Sequence, residues 1–313
     1  MTHASPKITI VGAGFVGATA AMLCARDSVA AEVVLIDVAD GIARGKALDL
    51  RQMRAITPFD TRVIGTGNYE DTAGSDIVVI TAGIARKPGM LREELVAING
   101  GVVTEVIERA RTVSPEALFM CVTNPLDVMT YLAQKKSQSE PTRLFGMGGV
   151  LDSARFAASI AAELNVALAE VECLVIGAHG EGMVALVDEA RVGGKALREV
   201  ATPAQIAAIV GHTVHGGAEI VDLLQTGSAY YAPGAAIARM VKACLTDSDE
   251  VMSVCVHLDG AYGLSDIYMN VPVRLGRAGV REIVELDISA REREALDASA
   301  AGIATLLSEA GLR

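Results

Sequence analysis

The stretch from Ile8 to Ala25 holds no charged side chain, yet it contains Gly12, Gly14 and Gly17. An apolar run of this length admits a membrane span, a signal peptide, or a buried strand, turn and helix. Each glycine inside a helix costs ~1 kcal/mol relative to alanine, which argues against one continuous spanning helix. Ahead of the run only Lys7 and His3 offer positive charge, and the membrane readings are set aside. What remains is a strand at Lys7–Val11, a tight turn, and a helix at Phe15–Arg26. The three glycines form GxGxxG. The first permits the turn, the second lets backbone approach a pyrophosphate, and the third lets helix pack on strand. The helix N-terminus then offers unpaired N–H groups and the positive end of its dipole to that anion. A chain with 31 glycines can produce this spacing by chance, so its context matters. The next strand, Glu32–Ile36, delivers Asp37 20 residues past Gly17. A carboxylate there accepts hydrogen bonds from both ribose hydroxyls and repels a 2′-phosphate. No Arg or Lys follows until Arg44, so the expected cofactor is NAD rather than NADP.

The β-α-β alternation continues through the first half. A helix is expected around Gly41–Met53, strands near Arg62–Gly65 and Asp76–Thr81, a helix at about Glu93–Arg111, and a strand at Ala117–Val122. This is the pattern of a doubly wound parallel sheet. The second half is more segregated. A helix at Val150–Leu164, a strand at Val171–Ile176 and strand-like pieces at Met183–Val187 and Ala190–Val192 come first. Ala-rich helices at Pro203–Gln225 and Pro233–Leu245 follow, then strands near Val251–Leu258 and Tyr268–Leu275 and a last helix at Ala290–Glu309. The fold class expected is α/β: an N-terminal Rossmann domain, residues 1–146, and a C-terminal α+β substrate domain, residues 147–313. Gln134–Pro141 reads as a solvated connector.

Composition limits the partners. A formal net charge of −11, with no long basic cluster, is repelled by phosphate backbones and anionic lipid. Neither nucleic acid nor a membrane is an expected partner, and an anionic substrate needs its own basic pocket. The cysteines, Cys24, Cys121, Cys173, Cys244 and Cys255, are odd in number and lack CxxC spacing. They read as small buried hydrophobes in a reducing, cytoplasmic compartment. His212 and His215 stand at helical spacing with no third ligand nearby, so no metal is expected.

Four further constellations bear on chemistry, and each has a plain reading beside the chemical one. Arg86, Lys87 and Arg92 crowd a Gly/Pro loop; such loops are more often simply solvated. Thr123-Asn124-Pro125-Leu126-Asp127 follows a parallel strand, where such sheets bind ligands, or forms an Asx turn into a helix. Asp152 and Arg155 share a helix face, usually the mark of a surface ion pair. His179 lies between small residues after a strand, and a lone His is more often structural. Together they supply the needs of hydride transfer to a 2-keto acid. An imidazole exchanges the proton near neutral pH, and a carboxylate orients it. A guanidinium grips the substrate carboxylate, and a further cation polarises the carbonyl.

In these motifs, and in Thr226-Gly227-Ser228-Ala229-Tyr230-Tyr231-Ala232-Pro233 and Tyr262-Gly263-Leu264-Ser265-Asp266, the chain resembles the lactate/malate dehydrogenase family through nearly its whole length. Within it, the resemblance is to the lactate-dehydrogenase-like malate dehydrogenases. It implies reversible hydride transfer between malate or oxaloacetate and NAD, with a lactate or broader 2-hydroxyacid enzyme as the alternative, and a place in the tricarboxylic acid cycle. His179 would be the proton donor and acceptor and Asp152 its partner. Arg155 would clamp the carboxylate beside the reacting carbon, and Arg92 would polarise the carbonyl. Asn124 would contact both substrate and cofactor, and Asn99 would join Gly12, Gly14, Gly17 and Asp37 in binding the cofactor. Arg86 would pair with the second carboxylate of a dicarboxylate substrate, and small Ala229 would leave room for it. A homodimer or homotetramer is also implied. The sequence departs from the family in Glu181 where Asp is usual, in Ala185 where proline is usual, and in Met147 where Gln is common.

Overall fold

The computed structural model describes residues 6–84, 90 and 92–313. Arg86, the expected substrate selector, lies outside them, as do Lys87, Pro88 and Gly89. The chain opens with β1 (Lys7–Val11), α1 (Phe15–Arg26), β2 (Glu32–Ile36), α2 (Asp40–Met53), β3 (Arg62–Thr66) and β4 (Ile77–Ile80). Next come α3 (Arg92–Val113), β5 (Leu118–Cys121), α4 (Leu126–Ser137), β6 (Leu144–Gly146), α5 (Gly149–Leu164), β7 (Val171–Glu172) and β8 (Val175–Gly177). After β9 (Met183–Ala185), β10 (Arg191–Val192), β11 (Lys195–Ala196) and the short α6 (Leu197–Val200) run α7 (Pro203–Leu224) and α8 (Tyr231–Thr246). The chain closes with β12 (Val251–Asp259), β13 (Ser265–Gly276), β14 (Gly279–Ile283) and α9 (Ala290–Glu309).

Two compact units result. The first gathers Met1–Met147, Ala229–Glu250 and Leu275–Arg281. Its strands pair in parallel in the order β3-β2-β1-β4-β5-β6, which is the doubly wound order of a dinucleotide-binding fold. β4 and β5 are buried at every position, and β1 and β2 at all but the first. Continuous apolar strands belong to parallel sheets covered on both faces, so Val, Ile and Leu runs outweigh any alternation here. Between β1 and β4 the strand order reverses. The glycine turn after β1 and Thr81 after β4 therefore emerge side by side at the carboxyl end of the sheet, where such folds hold ligands.

The second unit gathers Gly148–Ser228, Val251–Arg274 and Glu282–Arg313. Its strands are antiparallel, in the order β12-β13-β8-β9, with a small sheet β11-β10-β7 beside them. Phe156, Ile160, Val175, Met183, Leu197 and Ile209 form its core.

Several elements differ from the sequence reading. Gln134–Ser137, expected in a loop, are the last turn of α4, which ends where Gln138 turns left-handed at φ 50°. Nearly every residue of α4 before Gln134 is buried, so no amphipathic period marks it as a helix. The single strand expected at Val171–Ile176 is two, β7 and β8, in different sheets. β14 was not anticipated; it pairs with β13. In the compact units α8 groups with the first, where it packs along α1.

Candidate active site

In the first unit the glycine turn is built by exclusion of side chains. Gly12 has φ 106°, and a Cβ there would lie 2.7 Å from Thr81 Oγ1 and 2.8 Å from the Ala82 nitrogen. A Cβ on Gly17 would come within 1.9 Å of the Gly12 carbonyl oxygen, so helix and turn can approach this closely only with glycine. Gly14 differs: it caps α1 without a side-chain hydrogen bond, and a Cβ on it would meet nothing within 4 Å. The N-terminus of α1 thus presents bare backbone to open space, which fits the pyrophosphate of a dinucleotide.

Asp37, at the end of β2, is held by the turn it faces. Its Oδ2 accepts from the Ala13 nitrogen at 2.7 Å and its Oδ1 from the Ala39 nitrogen at 2.9 Å. Each carboxylate oxygen has a second lone pair, so ribose hydroxyls can still be accepted. Lys46 of α2 closes the other side. Its Nζ donates to the Ala13 carbonyl at 2.6 Å and the Gly14 carbonyl at 3.2 Å, and stands 5.3 Å from the Phe15 ring centre. Sequence reasoning passed over Lys46, because a bond to backbone carbonyls leaves no spacing signature.

Asn99 and Asn124 are brought together. Asn99 is fully buried; its Oδ1 accepts from the Ile84 nitrogen at 2.9 Å, and its Nδ2 donates to the carbonyls of Ile84 and Asn124 at 3.1 and 2.7 Å. Asn124 is exposed and precedes Pro125 through a cis peptide. Thr123 Oγ1 donates to the Ala82 carbonyl at 2.7 Å. Arg92 is the first residue of α3, and Ala229 is a half-buried residue ahead of α8.

The second unit carries a three-member ionic cluster. Asp152 lies in the first turn of α5, where the helix dipole favours a carboxylate, and is 1% exposed. Its Oδ2 is 2.8 Å from His179 Nδ1, and its Oδ1 accepts from Arg155 Nη1 at 3.1 Å. Arg155 and His179 keep 18% and 15% of their side-chain surface, so the anion is covered while both partners reach solvent. An ionised carboxylate only accepts. Facing a carboxylate, Nδ1 is placed to donate and Nε2 is left facing away from Asp152, an arrangement that suits an oriented acid–base histidine. His179 stands on a turn between β8 and β9. Ser299 Oγ of α9 accepts from the Ala178 nitrogen at 2.8 Å and donates to the Gly182 carbonyl at 2.6 Å. Glu181 is exposed on the same turn. Behind it Asn270 of β13, 1% exposed, donates from Nδ2 to the Gly177 carbonyl at 2.9 Å and accepts at Oδ1 from the Gly149 nitrogen at 2.6 Å.

No group of three or more His, Cys, Asp or Glu side chains among the described residues could hold a metal ion. Among them no helix is long and apolar enough to cross a membrane.

The family model described as lactate/malate dehydrogenase, NAD binding domain, matches residues 6–146, and that of the family's alpha/beta C-terminal domain matches residues 149–310. The chain belongs to the lactate/malate dehydrogenase family. Within that family it is 48% identical to the malate dehydrogenase of Chloroherpeton thalassium, over 94% of this chain and 95% of that one. A solved malate dehydrogenase from Salinibacter ruber superposes with a TM-score of 0.92 at 45% identity, covering 96% of each chain. A lactate dehydrogenase from Cryptosporidium parvum, solved with lactic acid and nicotinamide adenine dinucleotide, superposes with a TM-score of 0.95 at 38% identity, covering 99% of each chain. Fold similarity therefore extends to solved malate and lactate dehydrogenases alike.

Proposed function

We propose that this chain catalyses the reversible interconversion of malate and oxaloacetate with NAD, and that His179, oriented by Asp152, carries its proton. The observation that carries the reading is the 2.8 Å contact between His179 Nδ1 and a buried carboxylate that also holds Arg155. Gly12, Gly14, Gly17 and Asp37 would hold NAD, which would supply the hydride acceptor or donor for the carbinol carbon. His179 Nε2 takes the hydroxyl proton during oxidation and gives it back during reduction. Asp152 stabilises the imidazolium while the proton is held. Arg155, oriented by one nitrogen on Asp152, offers its remaining donors to the carboxylate beside the reacting carbon. Arg92 polarises the carbonyl in this reading, and Arg86 pairs with the second carboxylate. Gly12, Gly14 and Gly17 leave room for the pyrophosphate, and Asp37 accepts from the ribose. Asn124 contacts substrate and cofactor. Asn99 joins these residues in binding the cofactor, and its Nδ2 also holds the Asn124 carbonyl at 2.7 Å. Ala229 leaves space for the larger substrate. The names of the relatives support malate over lactate, as does the cost of facing an unpaired guanidinium with a methyl group. Work in the tricarboxylic acid cycle, a cytoplasmic location and assembly as a homodimer or homotetramer belong to the same reading.

The test is NADH consumption with oxaloacetate and pyruvate offered in parallel. Oxaloacetate is expected to be strongly preferred, and Arg86→Gln to lower that preference at least ~10²-fold, because a pocket built to pair a polar group rejects the analogue lacking it by ~10⁴-fold. An unchanged ratio would remove Arg86 from the role of selector. Preference for pyruvate in the unaltered protein would favour the lactate alternative.

A further inference from the structure

His179 is carried on a turn that the Met183 nitrogen closes by donating to the Gly180 carbonyl at 3.0 Å. Gly177 and Gly180 stand on either side at φ 89° and 105°, in backbone regions that side chains rarely enter. Such a turn is permissive, so the 2.8 Å contact to Asp152 needs to be fixed from outside. Two side chains remote in sequence do this. The Asn270 amide joins the backbones that bear the pair: it accepts from Gly149, the first residue of the helix holding Asp152, and donates to Gly177, two residues before His179. One neighbour offers N–H and the other C=O, so only a group that accepts and donates at once serves both. The Ser299 hydroxyl does the same for the two ends of the turn, accepting from Ala178 and donating to Gly182. Both side chains are buried, at 1% and 7% exposure, and neither is one of the reacting groups.

We propose that Asn270 and Ser299 are positioning residues for proton transfer, setting the distance and angle between His179 and Asp152. The inference rests on the assignment of that pair as the proton carrier. Supporting groups of this kind hold a reacting pair within fractions of an ångström, and a displacement near 1 Å costs up to ~10²-fold in rate. Among the described residues, Asp152 on α5 contacts the imidazole, Arg155 on α5 contacts Asp152, and Glu181 is exposed two residues along the same turn.

The experiment compares Asn270→Ala, Ser299→Ala and Ser299→Thr in the full-length protein, with His179→Asn as reference. The two alanine variants are expected to lower kcat for oxaloacetate about tenfold or more and to leave the dissociation constant for NADH, read by its fluorescence, within about twofold. With the carboxylate less closely applied to the ring, imidazolium loses support. The limb of the kcat/KM profile that reports it is then expected to move to lower pH. Ser299→Thr, which keeps the hydroxyl, should restore both. In an Asp152→Asn background Ser299→Ala should lose most of its effect, since both changes act through one contact. If the alanine variants lower kcat with an unmoved pH limb and full additivity with Asp152→Asn, the two residues are structural and the proposal fails. Alanine variants that turn over normally while His179→Asn is inactive overturn it alone. A His179→Asn variant that retains turnover overturns the proton-carrier assignment itself.

Discussion

His179→Asn keeps a side chain able to donate a hydrogen bond to Asp152 but removes the exchangeable ring nitrogen. Turnover with oxaloacetate is expected to fall ~10³-fold, the usual range for a lost general acid, while NADH fluorescence reports unchanged cofactor affinity. Retained turnover would refute the assignment. Lys46→Met separates binding from chemistry in the opposite sense. Losing the donor to the Ala13 and Gly14 carbonyls should loosen the glycine turn and raise the KM for NADH several-fold, about 1 kcal/mol for a lost hydrogen bond, with kcat nearly unchanged. A fall in kcat at constant KM would show that Lys46 acts elsewhere. The residues legible in the sequence were those whose chemistry demands a type at a spacing: the glycines, Asp37, and Asp152 with Arg155 one helical turn apart. Lys46, Asn270 and Ser299 were not legible. Each makes its bonds to main-chain groups distant in sequence, and a backbone partner places no constraint on residue identity at its own position.

Elements were readable where their ends carry chemical signals. α9 begins at Ala290 after Ser289, which accepts from the Glu292 nitrogen while Glu292 Oε2 accepts from Ser289 in return, and α1 follows the glycine turn. α7 carries the same reciprocal cap in Thr202 and Gln205, with proline at its first position. Thr202→Ala should therefore cost about 1 kcal/mol, lowering the melting temperature by roughly 2–4 °C without altering KM for either substrate; an unmoved melting curve would mean that the cap contributes nothing. Reading failed where burial erases the period. α4 is buried almost all round its first turns, and β7 and β8 follow each other so closely that one apolar run covers two sheets.

Across the molecule, the same burial governs its thiols. Burial pushes Cys24, Cys121, Cys173 and Cys244 up to about 12. Only the thiolate attacks a disulfide, and at pH 8 these groups remain protonated. The folded protein should react slowly with a colorimetric aromatic disulfide, and the thiol titre should rise with denaturant along the same transition as the far-ultraviolet signal. Rapid labelling of the native protein would contradict the burial. At this scale the alternation of strand and helix made the first unit's fold legible. The packing of α8 along α1 was not, because Gly234 approaches Thr19 and Ala20 more closely than a side chain would allow, a matter of fit that single-chain periodicity does not encode.

Asp37 has a consequence for how such a protein can change its taste in nucleotides. The carboxylate proposed to discourage a 2′-phosphate is also the anchor for the main chain at Ala13 and Ala39. Replacing it with a small neutral residue removes the repulsion and unties the loop in one step, so the intermediate grips either dinucleotide poorly. A lineage moving toward the phosphorylated coenzyme would have to supply a substitute acceptor for those two amides before, or together with, the new cation. On the proposed role of Asp37, a change of coenzyme would meet the cost of an untied loop as well as the barrier of charge.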